Sequence, residues 1–381
     1  MENQNSVCYV ARITAIKEIP GADNIEQAVV GGWSCITKKG EYKQDDLVII
    51  ATTDAVIPQE ISDAIGVTNY LRSGQRVRTI KLKGVYSECL IIPSYIISFY
   101  HMIIYDLKGL KAGQDLMDTL KIYKYEPPVK QITLASGKKI KYKDNPNFHV
   151  YYKFPNIKNV PNIFKEGDLV EITRKLHGTN ARYGIVRKTK LSIWDCIKKL
   201  FGDKWAEYEF AYGSHNVEKG SDSQGFYDTD VWKEIADRYN IKEKLWRFIK
   251  WYDNTQYIGS GVILYGEIYG PGIQKNYDYG LKEIQFAGFD ITVGGDYMSP
   301  GVAETVITNC IELPYIPVLA FTEWSQSVQD NFTFNNFIEG TKIPHEGIVI
   351  KHITGDRHKV AKVINPDYLI YSEKHDVGDS H

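Results

Sequence analysis

The stretch Leu169-Val-Glu-Ile-Thr-Arg-Lys175-Leu-His-Gly-Thr-Asn180 reads as a strand that delivers a lysine into a glycine turn. A lysine at a strand end is held rigidly enough to meet a phosphate, and Gly178 lets the backbone approach closely. His177, Thr179 and Asn180 follow closely enough to line the same pocket. In isolation the segment is equally a surface lysine beside a β-turn, so the surrounding chain has to decide.

At 381 residues the chain exceeds one core, and two or three domains are expected. Its 43% hydrophobic and 24% charged residues are those of a globular protein with a large core. The 46 Lys and Arg nearly balance the 47 Asp and Glu, so a nucleic-acid surface has to be a local patch. The first residues show no basic segment followed by an apolar core, and no apolar run reaches the ~18 residues of a membrane span. A cytoplasmic or nuclear protein, not secreted and with no membrane partner, is expected. Cys8, Cys35, Cys89, Cys196 and Cys310 are far apart with no CxxC, which suggests neither disulfides nor a zinc ribbon.

Upstream of the lysine, short β-branched runs alternate with turn residues from Cys8 to Pro93, the spacing of a small antiparallel barrel or sandwich. This domain is placed at residues 1–128, ending in KYEPP, with a lysine-rich linker at 129–147. The third segment, 148–381, mixes strands (GVILYGEIYG, EIQFAGFDIT, EGIVIKHI) with one long amphipathic helix over Asp228–Tyr252. The expected fold is α+β.

KLHGTN resembles motif I of the covalent nucleotidyltransferases, the superfamily of DNA ligases, RNA ligases and mRNA capping enzymes. LYGEIYG, FAGFDI, HEGIVIK and HKVAKVINPDYL resemble its motifs III, IIIa, IV and V in the right order, and ordered matches multiply in weight. HGTN points toward nick-sealing RNA ligases. IPGADNIEQAVVGGW, VRTIKLKGVYSECLIIP and KYEPP resemble the OB-like module that precedes the catalytic domain in Deinococcus-type RNA ligases. The resemblance implies an N-terminal OB-like β-barrel followed by an adenylation domain of antiparallel sheets and flanking helices.

It also implies roles. Lys175 would attack the α-phosphorus of ATP, expel pyrophosphate and carry AMP to a 5′-phosphate end, which a 3′-hydroxyl RNA end then joins at a nick in a duplex. Free lysine titrates near about 10.4, so a neutral amine at neutral pH needs help. Glu267 and Glu346 alone would push the wrong way, whereas Mg2+ or Mn2+ held between them reverses the local sign. His177, Gly178, Asn180, Phe289, Asp290, Lys359 and Lys362 would bind the nucleotide, Phe289 against adenine and Lys362 on the α-phosphate. Arg174 stands where relatives often carry glutamate, and His215 and Asn216 where many carry arginine, leaving Lys219 as a substitute phosphate contact.

For RNA, the cluster Arg72, Arg76, Arg78, Lys81 and Lys83 within Leu71–Gly84 offers phosphate contacts, with Asn180, His215 and Lys219 nearer the nick. Charges that protect a barrel edge would look the same. The lysines of Lys138–Lys143 raise the same question. The expected assembly is a monomer. Rival readings are a GTP-specific capping guanylyltransferase or DNA ligase of the same superfamily, or an RNA-binding protein with an inactive ligase-like domain.

Overall fold

Eleven residues, Cys8–Glu18, form strand β1, which serves two neighbours in turn. The computed structural model describes residues 6–72, 74–97, 109–125, 145–215, 217–221, 230–253 and 258–377. After β1 come β2 (Ile25–Val30), β3 (Trp33–Lys38), β4 (Leu47–Thr52), β5 (Ala55–Val56), β6 (Ile80–Leu82), β7 (Val85–Ser87), β8 (Cys89–Ile92) and β9 (Tyr123–Lys124). Cys8–Arg12 of β1 pair with β4, and Ile13–Glu18 pair with β2 after a bulge between Ile13 and Ala15. A bulge bends the strand and raises its twist, which lets one strand turn the corner of a barrel. The sheet runs β3-β2-β1-β4-β8, all antiparallel. Glu88 N donates to Ser34 O at 2.7 Å and Ile36 N to Ser87 Oγ at 3.1 Å, drawing β3 toward the β7–β8 segment.

Both faces of this sheet are buried, which is why β4 reads as the unbroken apolar run LVIIAT. Ile49 and Ala51 pack with Val10, Ile57 and Ile92, while Val48 and Ile50 pack with Ile13, Ala28 and Trp33. The structure thus has the expected OB-like module at the N-terminal end.

The second module is built from β10 (Leu169–Lys175), β11 (Thr179–Arg187), β12 (Tyr208–Gly213), β13 (Glu218–Ser221), β14 (Gly261–Tyr269), β15 (Gln285–Val293), β16 (Asp296–Tyr297), β17 (Val318–Glu323), β18 (Gly347–His352) and β19 (Val360–Ile364). They form two antiparallel sheets, β13-β12-β11-β14-β15-β16 and β17-β10-β18-β19. The outer face of the larger sheet buries Tyr183, Ile185, Val262 and Leu264 against Leu245, Phe248 and Ile249. The outer face of the smaller sheet buries Ile172, Ile348, Ile350 and Ala361 beneath Trp324 and Phe332. Between the inner faces lies the cleft.

Two expectations need correction here. The single helix expected over Asp228–Tyr252 is two, Val231–Arg238 and Ile241–Asp253, because Asn240 takes the left-handed region at φ 54° and ends the first; residues 228 and 229 lie outside the described ones. The hairpin read at Leu71–Gly84 is instead β6–β7, turning at Lys83 (φ 50°) and Gly84 (φ 84°). Of its neighbouring cations, Arg78 pairs with Glu373, Lys81 lies 3.6 Å from Asp367, and Arg76 pairs with Asp54. Glu373 and Asp367 belong to the helix Pro366–Lys374, so Arg78 and Lys81 bind the two modules together rather than standing free for RNA. Of the expected linker, residues 129–144, with Lys138–Lys143, lie outside the described residues. Asn145 belongs to the second module, its amide donating to Glu218 Oε2 at 2.8 Å.

A second contact between the modules is tighter. Lys158 Nζ pairs with the buried Glu88 and lies 5.3 Å from the ring centroid of Trp33. Gly32 closes against the same residue, since a Cβ there would stand 2.8 Å from Lys158 Cα. Gly32→Ala should therefore destabilise the chain by about 1–3 kcal/mol through overpacking. Chemical denaturation checks this, and an unchanged midpoint would show that the modules can separate at no cost.

Candidate active site

β10 ends at Lys175, and Leu176, His177 and Gly178 carry the chain across to β11 in the other sheet. Alternation along β10 sends Val170 and Ile172 into the outer core and turns Glu171, Thr173 and Lys175 toward the cleft. By the same register Lys351 on β18 and Lys362 on β19 share that face, while Ile348, Ile350, Ala361 and Val363 do not. The crossing demands glycine: a Cβ on Gly178 would lie 2.2 Å from Ile268 O and 3.0 Å from Glu267 Cγ.

Lys175 Nζ donates to Glu346 Oε1 at 2.6 Å, with 24% of the lysine side chain exposed. Glu267 enters from β14, in register opposite Asn180. Burial pushes the Glu267 carboxyl up to about 8; Lys175 opposes the rise and Glu346 adds to it. Glu346 Oε2 and Asn180 Oδ1 are buried and without a hydrogen-bond partner among the described residues. Lys362 is pushed down to about 8, first by burial, then by Lys175 and Lys124, with Glu346 and Asp54 opposing. Lys175, Glu267, Glu346 and Lys362, four residues singled out in the sequence, thus share one pocket.

Two converging carboxylates, one with an unsatisfied oxygen, suit a divalent cation that takes one or two protein carboxylates and completes its shell with phosphate and water. Among the described residues no group of three or more His, Cys, Asp and Glu gathers to hold a metal, here or elsewhere, so a cation in this pocket would rest on these two carboxylates.

Other expected residues sit differently. The His177 ring is 1% exposed, set edge-on to Tyr277 and Tyr368, with Nδ1 3.0 Å from Tyr368 Oη and 3.9 Å from Glu346 Oε2. It backs Glu346 and ties in the Pro366–Lys374 helix rather than lining an open pocket. Phe289 is half-buried, its ring 4.9 Å from Tyr151. Asp290, expected in the nucleotide pocket, is 1% exposed and engaged by Arg357 at 2.7 Å, Tyr151 at 2.9 Å and Lys351 at 3.4 Å. Lys359 pairs with Asp168, at the opposite end of β10 from Lys175. The three-residue spacing of Lys359 and Lys362 cannot put both on one face of a strand with period two, and only Lys362 reaches the cleft.

Lys219 is 7% exposed and lies 3.9 Å above the Trp232 ring, while Trp232 Nε1 donates to Asn180 O at 3.0 Å. Lys219 therefore supports Asn180 from behind instead of offering a phosphate contact. His215 is pushed down by burial, Lys153 and Arg182, and Asn216 lies outside the described residues. Arg174 turns to Asn336, 3.2 Å away. Arg72 bridges Arg76 through its backbone, and Lys83 is exposed at the β6–β7 turn.

Three groups were missed in the sequence. Lys351 and Glu171 are directly opposed across β18 and β10, and Lys351 Nζ also donates to Phe289 O at 2.7 Å. Glu171 lies under Tyr315, whose Oη is 3.4 Å away, and its Oε2 is buried without a partner among the described residues. Period-two counting from Lys175 would have found Glu171, whereas Lys351, five residues from Glu346, takes its face from its pairing with Glu171. Lys124 arrives from β9 of the first module, and no local signal marks it.

Burial pushes Glu171 up to about 7 from 4.5, with Asp290 and Glu304 adding to the rise and Lys351 opposing it. The folded carboxyl holds its proton more tightly than the unfolded one, so its contribution to stability is complete below about pH 4.5 and is lost as pH rises through about 7. Glu171→Gln, a permanent mimic of the neutral form, should gain on the order of 2 kcal/mol over the parent at about pH 8 and little at about pH 4. Denaturation at both pH values reads this; an equal change at both would remove the titration from Glu171.

Comparison with known proteins agrees with this arrangement. An OB-fold domain family matches residues 7–94, and the RNA ligase family matches residues 168–364, more than half of the 381. No curated protein sequence matches the chain. Among solved structures, a Naegleria gruberi RNA ligase mutant with ATP and Mn is similar over 97% of this chain and 99% of its own, at 23% identity and TM-score 0.69. A mutant of the same ligase with AMP and Mn matches over 98% and 99%, at 23% identity and TM-score 0.70. The ligase with PPi matches over 98% and 99%, at 23% identity and TM-score 0.68. The two-module fold is therefore shared along the whole chain, and the chain belongs to the RNA ligase family.

Proposed function

We propose that the chain is an ATP-dependent RNA ligase working as a monomer on nicked duplexes, with Lys175 as its covalent nucleotide carrier. The observation that carries this is the lysine at the crossing between sheets, 2.6 Å from Glu346, with Glu267 and Lys362 in the same pocket. The similar Naegleria structures bind ATP with Mn, AMP with Mn, or PPi.

In the first step Lys175 Nζ, as the free amine, attacks the α-phosphorus of ATP. A P–N bond forms, the bond to the bridging oxygen breaks, and pyrophosphate leaves with the electron pair. An oxygen of the RNA 5′-phosphate then takes AMP, breaking the P–N bond and restoring the lysine. Attack by the 3′-hydroxyl expels AMP and makes the phosphodiester. Glu346 orients Lys175 through the contact already present, and Lys362 supplies positive charge for the α-phosphate. Mg2+ or Mn2+ held by Glu346 and Glu267 would offset their charge beside the lysine and that growing on the phosphate. Half-buried Phe289 offers a ring for adenine. Lys124, a cation of the first module whose charge acts on Lys362, would add positive potential for the departing pyrophosphate.

Incubation with ATP and Mg2+ or Mn2+ should add one AMP to the intact mass, and Lys175→Ala should lose it. The adduct should form with ATP in preference to GTP, and a nick with a 3′-hydroxyl RNA end should seal faster than an all-DNA nick. An adduct with GTP only, or equal sealing of both nicks, would replace this reading by a capping enzyme or a DNA ligase respectively.

Lys124→Ala separates the steps. It should slow lysine adenylylation at least about tenfold, the scale of losing one charge-stabilising group, while sealing of a pre-adenylylated nick changes far less. Single-turnover rates of the two reactions decide, and equal losses in both would place Lys124 outside pyrophosphate release.

A further inference from the structure

The connection from β11 to β12 contains the helix Ile193–Leu200, and none of its side chains is buried. Ser192 and Asp195 close a reciprocal capping box at its start, so the element is well defined without support from a core. At 100° per residue, Ile193, Trp194, Ile197, Leu200 and the following Phe201 fall within an arc of about 120°. They are 79, 73, 38, 85 and 84% exposed. Scattered exposed apolar residues need no explanation, but five large ones on one helical face mark an interaction surface.

What the surface meets can be read from its shape and charge. The apolar side chains project from the protein and form a ridge rather than a groove, which suits a deformable partner better than a fixed complementary pocket. The rim is basic. Lys188, Lys199 and Lys204 are bridged to Asp195, Glu207 and Asp253, while Lys190 and Lys198 have no carboxylate partner among the described residues. Beside the helix is a cleft of about 320 Å³ whose lining is of mixed charge, Lys188, Lys198 and Lys250 with Asp195 and Asp203, between Trp205 and Trp246. Exposed tryptophan, bulky aliphatics and a lysine rim together form an interfacial helix of the kind that lies in the headgroup region of a bilayer.

We propose that the helix Ile193–Leu200 with Phe201 is a peripheral membrane anchor, its apolar face seated at the acyl–headgroup boundary of an anionic phospholipid surface and the unpaired Lys190 and Lys198 set against the phosphate headgroups. No helix among the described residues is long and apolar enough to cross a membrane, and an element lying in the interface needs none. β11 separates the anchor from the nucleophile: at the ~3.3 Å rise per residue of a strand, Arg187 is about 25 Å from Thr179. Binding at one end therefore leaves the cleft at the other end open.

The test is flotation of the full chain with phosphatidylcholine vesicles, with or without phosphatidylglycerol. The expected result is binding at least about tenfold stronger to the anionic vesicles, weakened by salt. Trp194→Ser/Leu200→Ser/Phe201→Ser should abolish it while Lys175 still takes up AMP at the parental rate, and Lys198→Glu should weaken it. Inorganic phosphate should release the vesicles no more than chloride does at equal ionic strength, and a specific release by phosphate would assign a free-phosphate site instead. The proposal is overturned if the parent does not float at low ionic strength or if the triple variant floats equally well. It is also overturned if those substitutions instead abolish a concentration-dependent dimer, or RNA retention without vesicle binding.

Discussion

The Lys175–Glu346 contact depends on strand register. Lys175 pairs with Gly347 across β10 and β18, so Glu346 sits at the end of its strand with its carboxylate beside the lysine nitrogen. A slip of one residue would turn Lys175 into the outer core and Arg174 into the cleft. Gly347 lets β18 close on its other neighbour at the same point, because a Cβ there would stand 2.1 Å from Val363 O on β19. Gly178 pins the crossing to the second sheet in the same way. One glycine thus lets the strand beside Glu346 pack against β19, and the other fixes the turn that follows the nucleophile.

Across the cleft the sheets are tied by a buried charge cluster. Lys351 and Arg357 reach over to Asp290, Tyr151 donates to the same carboxylate, and Tyr315 approaches Glu171. Burying these ions costs solvation, and breaking such a set is expensive because it strands a charge in the interior. The arrangement fixes the spacing of the two sheets, since Lys351 also donates to the backbone of Phe289. The ring proposed to meet adenine is therefore positioned from the opposite sheet.

The first module takes part in the site rather than merely preceding it. The segment that bears Lys158 against Glu88 and Trp33 also lies beside β19, with Lys362 N donating to Pro155 O at 3.0 Å. The strand that holds Lys362 is therefore tied to the segment on which the OB-like module sits, and the charges of Lys124 and Asp54 act on Lys362. At the other end of the larger sheet the Ile193–Leu200 helix leaves its apolar face outside every core. The chain separates a rigid interior site from an outward-facing surface by the length of β11.

The sequence by itself determined the order of the two modules and the strand ending in Lys175, whose period and turn chemistry are local, and it singled out Glu267, Glu346 and Lys362 through the resemblance of their segments to ligase motifs in the same order. Local spacing also contained, unused, the cleft-facing position of Glu171 and the opposed faces of Lys359 and Lys362, while the face of Lys351 comes from its pairing with Glu171. Only the tertiary structure decided that Asp290 neutralises buried cations, that His177 braces Glu346, that Lys219 lies over Trp232, and that Arg78 and Lys81 bind the C-terminal helix. It also broke the expected long helix at Asn240 and brought the charge of Lys124 to act on Lys362. A charged residue in a sequence shows its charge and its strand face, but its role is set by whichever opposite charge or ring the fold brings within a few ångströms. Those partners are up to hundreds of residues away, as Arg78 and Glu373 are.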